Sequence, residues 1–198
     1  GGVILTNNID INNYLKSLRA HGWCRDLPKK NRLYKFKGNE FEDKFKFITP
    51  GYSLRPLEIE AAAGLEQLKK LDKFISLRIK NAKLFKSLFE KKEWCEIQKE
   101  ERNAISSWYG FNIVLKGKLS GKRKKIINKL IKNKIETRPT MTGNFLKNPV
   151  LKKIKYKNKF KLKNADYIDR NGFFVGNYPK NLSNQIRFLY KVIKDELN

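Results

Sequence analysis

Several common ingredients are scarce in this chain of 198 residues, and each scarcity removes a class of function. The two cysteines, Cys24 and Cys95, have no CxxC spacing, which argues against a zinc knuckle, an Fe–S cluster or a disulfide framework and leaves two reduced, structural thiols. A single histidine, His21, cannot by itself build a catalytic dyad or a metal centre, and no metal is expected. No apolar run approaches the roughly 20 residues of a membrane span. The opening Gly1-Gly2-Val3-Ile4-Leu5-Thr6-Asn7 lacks the basic-then-apolar order of a secretion signal, so a cytoplasmic location is expected. Acid is scarce too: 19 Asp and Glu stand against 45 Lys and Arg, a formal charge of +26.

That excess is concentrated. Between Lys116 and Lys163 the only acid is Glu136. Such a block attracts polyanions, so a Lys-rich binding domain for nucleic acid or anionic surfaces is one reading. Composition argues against it, because most of the basic residues are Lys and they travel with abundant Asn and Ile, the residues whose codons are richest in A and T. Coding bias accounts for that pattern without any DNA. Base readout favours Arg, and RNA modules interleave aromatic with basic residues in strings that do not occur here. The expectation is a solvated surface with weak, salt-sensitive attraction for polyanions, and neither a specific nucleic acid nor a membrane as partner.

The length suits one compact domain, or a domain with a piece of another. Gly2–Thr6 reads as a buried strand, and Asn8 or Asp10 can cap a helix whose Ile11, Tyr14, Leu15 and Leu18 form one stripe. Residues 24–46 are charged and aromatic without period, an excursion over a site or a partner surface. Pro56 suits a first helical turn, and from Leu57 to about Glu90 no further proline interrupts the pattern, which predicts a helix of about 50 Å. Its cluster Ala61-Ala62-Ala63-Gly64 permits close approach of another backbone, so the first half should be packed deep. Glu58 and Glu60 complement the helix dipole.

Beyond that helix, Ser107–Leu115 and Gly172–Gly176 read as strands and Glu136–Arg138 as a short extended piece before Pro139. Helices are predicted over Ser120–Asn133, capped by Ser120, over Asn164–Arg170, and over Ser183–Leu197 with Ile186, Leu189, Tyr190 and Ile193 inward. Lys152–Lys163 reads as a loop. The sum is a small α/β domain with a mainly antiparallel sheet.

Five stretches in order carry a family resemblance: Gly1-Gly2-Val3-Ile4-Leu5-Thr6-Asn7, Leu18-Arg19-Ala20-His21-Gly22-Trp23, Gly51-Tyr52-Ser53-Leu54-Arg55 through Leu68, Ile135-Glu136-Thr137-Arg138-Pro139-Thr140, and Asn171-Gly172-Phe173-Phe174-Val175-Gly176-Asn177. Together they resemble the DegT/DnrJ/EryC1/StrS family of pyridoxal-phosphate-dependent sugar aminotransferases and dehydratases. Within it they are most similar to the branch of 3-dehydratases that act on nucleotide-linked 4-keto-6-deoxyhexoses. In that branch a histidine replaces the usual Schiff-base lysine, and pyridoxamine phosphate drives loss of the 3-hydroxyl.

The resemblance implies the C-terminal part of a fold-type I transferase: 1–54 the end of the large cofactor domain, 55–90 a long interdomain helix, 91–198 a small α/β domain. The catalytic residue, lysine or histidine, is expected upstream of Gly1, so the isolated chain should be inactive; an inactive truncated remnant is a further alternative. Such enzymes are homodimers working in surface polysaccharide and lipopolysaccharide biosynthesis, with pyridoxal or pyridoxamine phosphate as cofactor. Their partners are a nucleotide-linked keto-deoxy sugar and an amino donor such as glutamate. Ser53 stands where the family has an asparagine that contacts the cofactor phosphate of the partner subunit. Arg55 and Arg138 match arginines that face the site and hold the donor's carboxylate or the sugar nucleotide's diphosphate. His21 is expected to orient substrate, and Asn144 and Asn177 to bind sugar hydroxyls.

Overall fold

The structure, a computed structural model, describes residues 2–43, 45–157 and 160–197. The chain divides into two compact units, Gly1–Leu68 and Lys69–Asn198.

In the first unit, helix α1 (Ile9–Leu18) starts where expected, with Asn8 Oδ1 accepting from the backbone N–H groups of Asp10 and Ile11. The buried face is not the expected one. Asn13, Ser17 and Ala20 are buried, while Ile11 and Tyr14 face outward. Val3, Ile4 and Leu5 are exposed and form no strand, correcting the strand expected over Gly2–Thr6. A strand needs a neighbour for its backbone groups, and the described residues of this unit hold only isolated bridges.

The excursion closes on Asp43, at the end of the short helix α2 (Glu40–Asp43). Asp43 is buried and accepts from Tyr34 Oη (2.7 Å) and Lys37 N (3.1 Å), and Cys24 Sγ donates to its carbonyl. The hydrogen bond to this carboxylate pushes the Tyr34 hydroxyl up to about 12.

Two glycines decide how the unit is threaded. At Gly22, with φ +82°, a Cβ would lie 1.8 Å from the Thr49 carbonyl oxygen; at Gly51 it would lie 2.0 Å from Gly22 N. The His21-Gly22 and Pro50-Gly51 backbones therefore cross in direct contact. The crossing is laced by His21 N→Tyr52 O (2.9 Å), Ile48 N→Gly22 O (2.8 Å), Tyr52 N→Leu18 O (2.7 Å) and Leu54 N→Arg19 O (2.9 Å).

The single long helix is in fact two, α3 (Glu58–Leu68) and α4 (Leu71–Phe89), interrupted at Lys69-Lys70. No residue of α3 is buried, so its small-residue cluster is not packed deep in this chain. A helix apolar on several sides is suited to a buried position.

The second unit is a four-stranded antiparallel sheet in the order β1-β2-β4-β3, with β1 Cys95–Ile97, β2 Gly110–Leu115, β3 Arg138–Pro139 and β4 Gly172–Gly176. Strand β1 was not anticipated. The mainly antiparallel α/β architecture is as the sequence implied. Helices α4, α5 (Arg123–Lys132) and α7 (Ser183–Lys194) supply Phe85, Phe89, Ile126, Leu130, Ile186 and Leu189 to one core with Phe111, Ile113 and Leu115 of β2. Helix α6 (Lys163–Asn171) lies against β2 and β4. Ser120 does not cap α5, because a short 3-10 turn over Gly117–Leu119 comes first and the helix begins at Arg123. The described residues of Lys152–Lys163 are non-helical after the 3-10 turn Pro149–Lys153, up to the start of α6. Both cysteines are free and buried, and burial pushes the Cys95 thiol up to about 12, which keeps it unreactive.

Candidate functional site

In the first unit, the crossing of the two glycine stretches gathers three of the expected residues. Ala20 and Ser53 form an isolated backbone bridge, and His21 N bonds to Tyr52 O, so His21 and Ser53 lie in the two backbone segments of one crossing. The His21 ring is exposed, held at φ +60°, and lies 4.8 Å from the Trp23 ring. Trp23 in turn meets Phe45 and Phe47 edge-on, with Arg25 stacked 4.5 Å from its ring centre. The Ser53 side chain is exposed, and its hydroxyl makes no hydrogen bond among the described residues. Arg55, also exposed, pairs with Asp26 through Nη2. The outer surface of this crossing offers a free hydroxyl donor, a guanidinium and an aromatic cluster.

The second unit holds a cavity of about 570 Å³, a size usual for small-molecule sites. Its walls come from β2, β4, α4, α7 and the connection between α5 and β3. Arg138 lines it, with Nε and Nη2 both donating to Glu136 Oε1 at 3.1 and 2.9 Å. That hydrogen bond, with the carboxylate's charge, raises the guanidinium's proton affinity further, so Arg138 stays a cation. Arg78, unremarked in the sequence, lines the same cavity; its Nε donates to the Asn177 carbonyl at 3.1 Å.

Asn177 is 2% exposed and fully engaged. Its Nδ2 donates to Trp108 O (2.8 Å) and Arg78 O (3.1 Å), and its Oδ1 accepts from Asn81 Nδ2 (2.9 Å). Asn81 also donates to Lys180 O and accepts from Leu182 N. This network ties α4 to the segment after β4 and fixes the cavity wall. The signal in the sequence was the pair Arg78 and Asn81, polar residues interrupting the apolar stripe of Ile75, Ala82 and Phe85; their partners lie about a hundred positions away and carry no local mark.

Asn144 lies elsewhere and is occupied as well. Its Oδ1 accepts from Leu146 N (3.0 Å) and its Nδ2 donates to Asp166 Oδ1 (2.9 Å). Beside it Lys147 Nζ bridges Asp166 and Asp169, each at 2.8 Å. Gly143, at φ +58°, leaves room for the Asp169 carboxylate, which a Cβ would meet at 2.0 Å. The loop that follows Arg138-Pro139 is therefore latched onto α6. Hydrogen bonds from Lys147 hold both carboxyls below their ordinary range, and the two carboxylates raise Lys147. Depressed carboxyl pKa values contribute stability that is present above the unfolded-state value of about 4 and is lost as pH falls through the folded value. Raised Lys147 contributes the same latch up to alkaline pH, losing it only above its folded value. The protection factors of residues 140–148, which allow for the slower intrinsic exchange in acid, are expected to fall below about pH 4, and Lys147→Met should lower them already at pH 7. Identical exchange in the variant at pH 7 would remove the latch from the account.

No group of three or more metal-ligating side chains occurs among the described residues, and no described helix is long and apolar enough to cross a membrane.

A family model for the DegT/DnrJ/EryC1/StrS aminotransferase family matches residues 1–192. A GDP-4-keto-6-deoxy-D-mannose 3-dehydratase from Yersinia pseudotuberculosis is 45% identical over 196 residues, 98% of this chain and 49% of that protein. The lipopolysaccharide biosynthesis protein RfbH of Salmonella typhimurium is 28% identical, over 90% of this chain and 43% of its own length. Among solved structures, the E. coli GDP-4-keto-6-deoxy-D-mannose-3-dehydratase with bound hydrated PLP superposes with a TM-score of 0.86 at 44% identity, covering 95% of this chain and 48% of that one. The chain thus spans about half the length of the curated relatives it matches.

Proposed function

The chain belongs to the DegT/DnrJ/EryC1/StrS aminotransferase family, and from that membership we propose that it is the C-terminal portion of a 3-dehydratase acting on a GDP-linked 4-keto-6-deoxy sugar in lipopolysaccharide biosynthesis. The observation that carries this reading is the 45% identity, along 98% of the chain, to a protein with that activity. The whole enzyme is a cytoplasmic homodimer with pyridoxal or pyridoxamine phosphate as cofactor and glutamate as amino donor, and its catalytic residue precedes Gly1. Residues 1–54 complete the cofactor domain, 55–90 form the interdomain segment, and 91–198 are the small domain.

The residues present fit such a cofactor at one point. Ser53 offers an exposed hydroxyl with no internal partner, suited to donate to one phosphate oxygen of the neighbouring subunit's cofactor. A serine is shorter than the asparagine amide usual at this position, so the contact is direct only if the phosphate approaches closely, and is otherwise bridged by water. When bound, the cofactor supplies the electron sink that lets the C3 hydroxyl leave. The protein's part is orientation and charge. Arg55 gives a fixed cation beside Ser53, steadied by Asp26, and His21, braced against Trp23, presents a ring that can orient the sugar. Arg138 contacts the sugar nucleotide. Asn144 and Asn177 serve it indirectly, by fixing the loop after Arg138 and the cavity wall.

The competing reading, a basic domain for nucleic acid, loses support because part of the basic block is committed internally. Lys116 pairs with Glu96, Lys125 and Lys129 with Glu196, and Lys147 with Asp166 and Asp169.

The test is to produce the chain joined to its upstream half and supply pyridoxal phosphate, glutamate and a GDP-linked 4-keto-6-deoxyhexose. Proton NMR should show a methylene at C3 of the sugar. A 4-amino sugar retaining its 3-hydroxyl would make the protein an aminotransferase, and an unchanged sugar would leave it an inactive remnant. The 198-residue chain alone should produce neither, and should not retain pyridoxal phosphate after dialysis.

A further inference from the structure

The run Lys153-Ile154-Lys155-Tyr156-Lys157 alternates cationic and apolar side chains, and Phe160-Lys161-Leu162-Lys163 resumes the same order. Alternation of that kind ordinarily marks a strand with one face buried. Here neither half of the pattern is buried. The described residues between the 3-10 turn Pro149–Lys153 and α6 belong to no helix or strand, and Val150, Ile154, Tyr156, Phe160 and Leu162 are each 40–75% exposed. Single exposed apolar residues are ordinary on a protein surface, but five between positions 150 and 162 are a concentration.

The lysines of the same stretch are uncommitted. Lys116, Lys125, Lys129 and Lys147 are held by carboxylates, whereas Lys152, Lys153, Lys155, Lys157, Lys161 and Lys163 are exposed and form no ion pair among the described residues. No acid lies between Glu136 and Asp166 to neutralise them locally, and Asp166 and Asp169 already share Lys147. Cations without partners and apolar groups without cover therefore occur together, residue by residue.

That combination selects among possible occupants. A protein surface would have to bring carboxylates and apolar groups into register at one-residue spacing. Nucleic acid would satisfy the lysines and could stack bases on Tyr156 and Phe160, but Val150, Ile154 and Leu162 gain nothing from it. An anionic bilayer satisfies both halves, because headgroup phosphates pair with the ammonium groups and the acyl boundary accepts aliphatic and aromatic side chains alike. The four-carbon stem of lysine lets its charge stay at the level of the phosphates while its apolar neighbours go deeper. We infer that residues 150–157 and 160–163 form a docking surface for an anionic phospholipid bilayer, on which the protein lies without crossing it. This replaces the expectation of a merely solvated surface with no membrane partner, and it does not depend on the proposed sugar chemistry.

Co-sedimentation with vesicles is the test. The 198-residue chain, and the same chain joined to its upstream half, should pellet with phosphatidylcholine vesicles containing about one-third phosphatidylglycerol and stay in solution with phosphatidylcholine alone. Raising the salt to physiological strength should weaken the binding without abolishing it, because the apolar part is not screened. Changing Lys153, Lys155 and Lys157 together to glutamine should weaken partition on the order of a hundredfold, at about fivefold for each lysine. The same change at Lys29, Lys30 and Lys35, exposed lysines of the first unit, should weaken it by no more than about threefold, since charge held away from the surface is screened. Ile154→Ser combined with Phe160→Ser should remove the binding that survives salt, and in Tyr156→Trp the added indole emission should shift to the blue on the anionic vesicles. All these side chains are exposed, so the variants should keep the parent's circular dichroism. Equal losses from the two lysine sets, or an Ile154→Ser, Phe160→Ser variant that binds like the parent, would mean diffuse charge and overturn the docking surface. Displacement from the vesicles by an unrelated DNA oligonucleotide at physiological salt would assign the stretch to nucleic acid and overturn it too. Binding by the 198-residue chain that vanishes in the joined protein would mean that the upstream half covers the stretch, with the same consequence. The sugar reaction is assayed in free solution, so failure of either result leaves the other standing.

Discussion

Replacing Gly22 by alanine is expected to destroy the threading of the first unit, at a cost of at least about 3 kcal/mol. Two penalties coincide at this position. A residue with a Cβ is strained at φ +82°, and the Cβ would sit 1.8 Å from the Thr49 carbonyl oxygen, where no flexible side chain can yield. Relief requires the two backbones to separate. That breaks Ile48 N→Gly22 O and His21 N→Tyr52 O, and with them the arrangement of His21 and Ser53. Gly51→Ala should do the same from the other side, since its Cβ would lie 2.0 Å from Gly22 N. Gly38→Ala is the control. It shares φ +82° but meets nothing within 4 Å, so it should cost only about 1 kcal/mol. Amide hydrogen exchange at His21, Gly22, Tyr52 and Leu54 reads the result directly. Loss of protection in the Gly22 and Gly51 variants with its retention in the Gly38 variant is the expected pattern, and protection that survives Gly22→Ala would mean the crossing is not what holds the unit.

Those two glycines also show what a sequence can and cannot disclose. Both belong to stretches that resemble the family, yet nothing in either stretch says that they touch; the contact is a property of two backbones brought together over some thirty residues. Elements governed by local rules were legible. The Asn8 cap, the alternation in β2, the strand β4 and the 3.6-residue stripe of α7 appear where their patterns place them, and α5 appears with its start moved from Ser120 to Arg123. Elements that depend on neighbours were not. Val3-Ile4-Leu5 has the composition of a strand but no ladder partner among the described residues, and β1 is only three residues long, too short to show a period. The break at Lys69-Lys70 lacks proline or glycine, so the apolar pattern ran across it unmarked.

The candidate residues divide along the same line. Ser53, Arg55, His21 and Arg138 were found by likeness to a family motif; all four are exposed, with Arg55 paired to Asp26 and Arg138 to Glu136. Asn144 and Asn177, taken from glycine-asparagine steps, prove to be buried with both ends of their amides in use. A turn-like dipeptide does not distinguish an amide that meets solvent from one that ties a loop. Arg78 and Tyr109 carry no local mark of their place beside Arg138 in the cavity wall, because it is made by the sheet and by the network around Asn177.

Phe85→Ala is the substitution expected to cost the second unit most, about 3–5 kcal/mol. The ring has no exposed surface and is sandwiched between Phe89, at 4.6 Å, and Phe111, at 4.2 Å and nearly parallel. It is the point where α4 is fixed to β2. Removing it deletes the transfer energy of an aromatic side chain and leaves a void bounded by β2 and α7 that close packing cannot refill. For a body of this size the melting temperature should fall by roughly 10–20 °C. Ile131→Ala, at an α5 position that is 59% exposed, should change stability by no more than about 0.5 kcal/mol. The consequence reaches the cavity, because Arg78 and Asn81 stand two turns and one turn before Phe85 on the same helix. A helix that rocks on the sheet loosens Asn81 from Asn177, so the wall bearing Arg78 should lose order before the unit melts. Thermal denaturation followed by near-ultraviolet circular dichroism measures the first effect, and hydrogen exchange at Leu182 N, which donates to Asn81 Oδ1, measures the second. A melting temperature within a few degrees of the parent would place the core elsewhere than between α4 and β2. A large fall in melting temperature with undiminished protection at Leu182 would show that the cavity wall is held independently of that core.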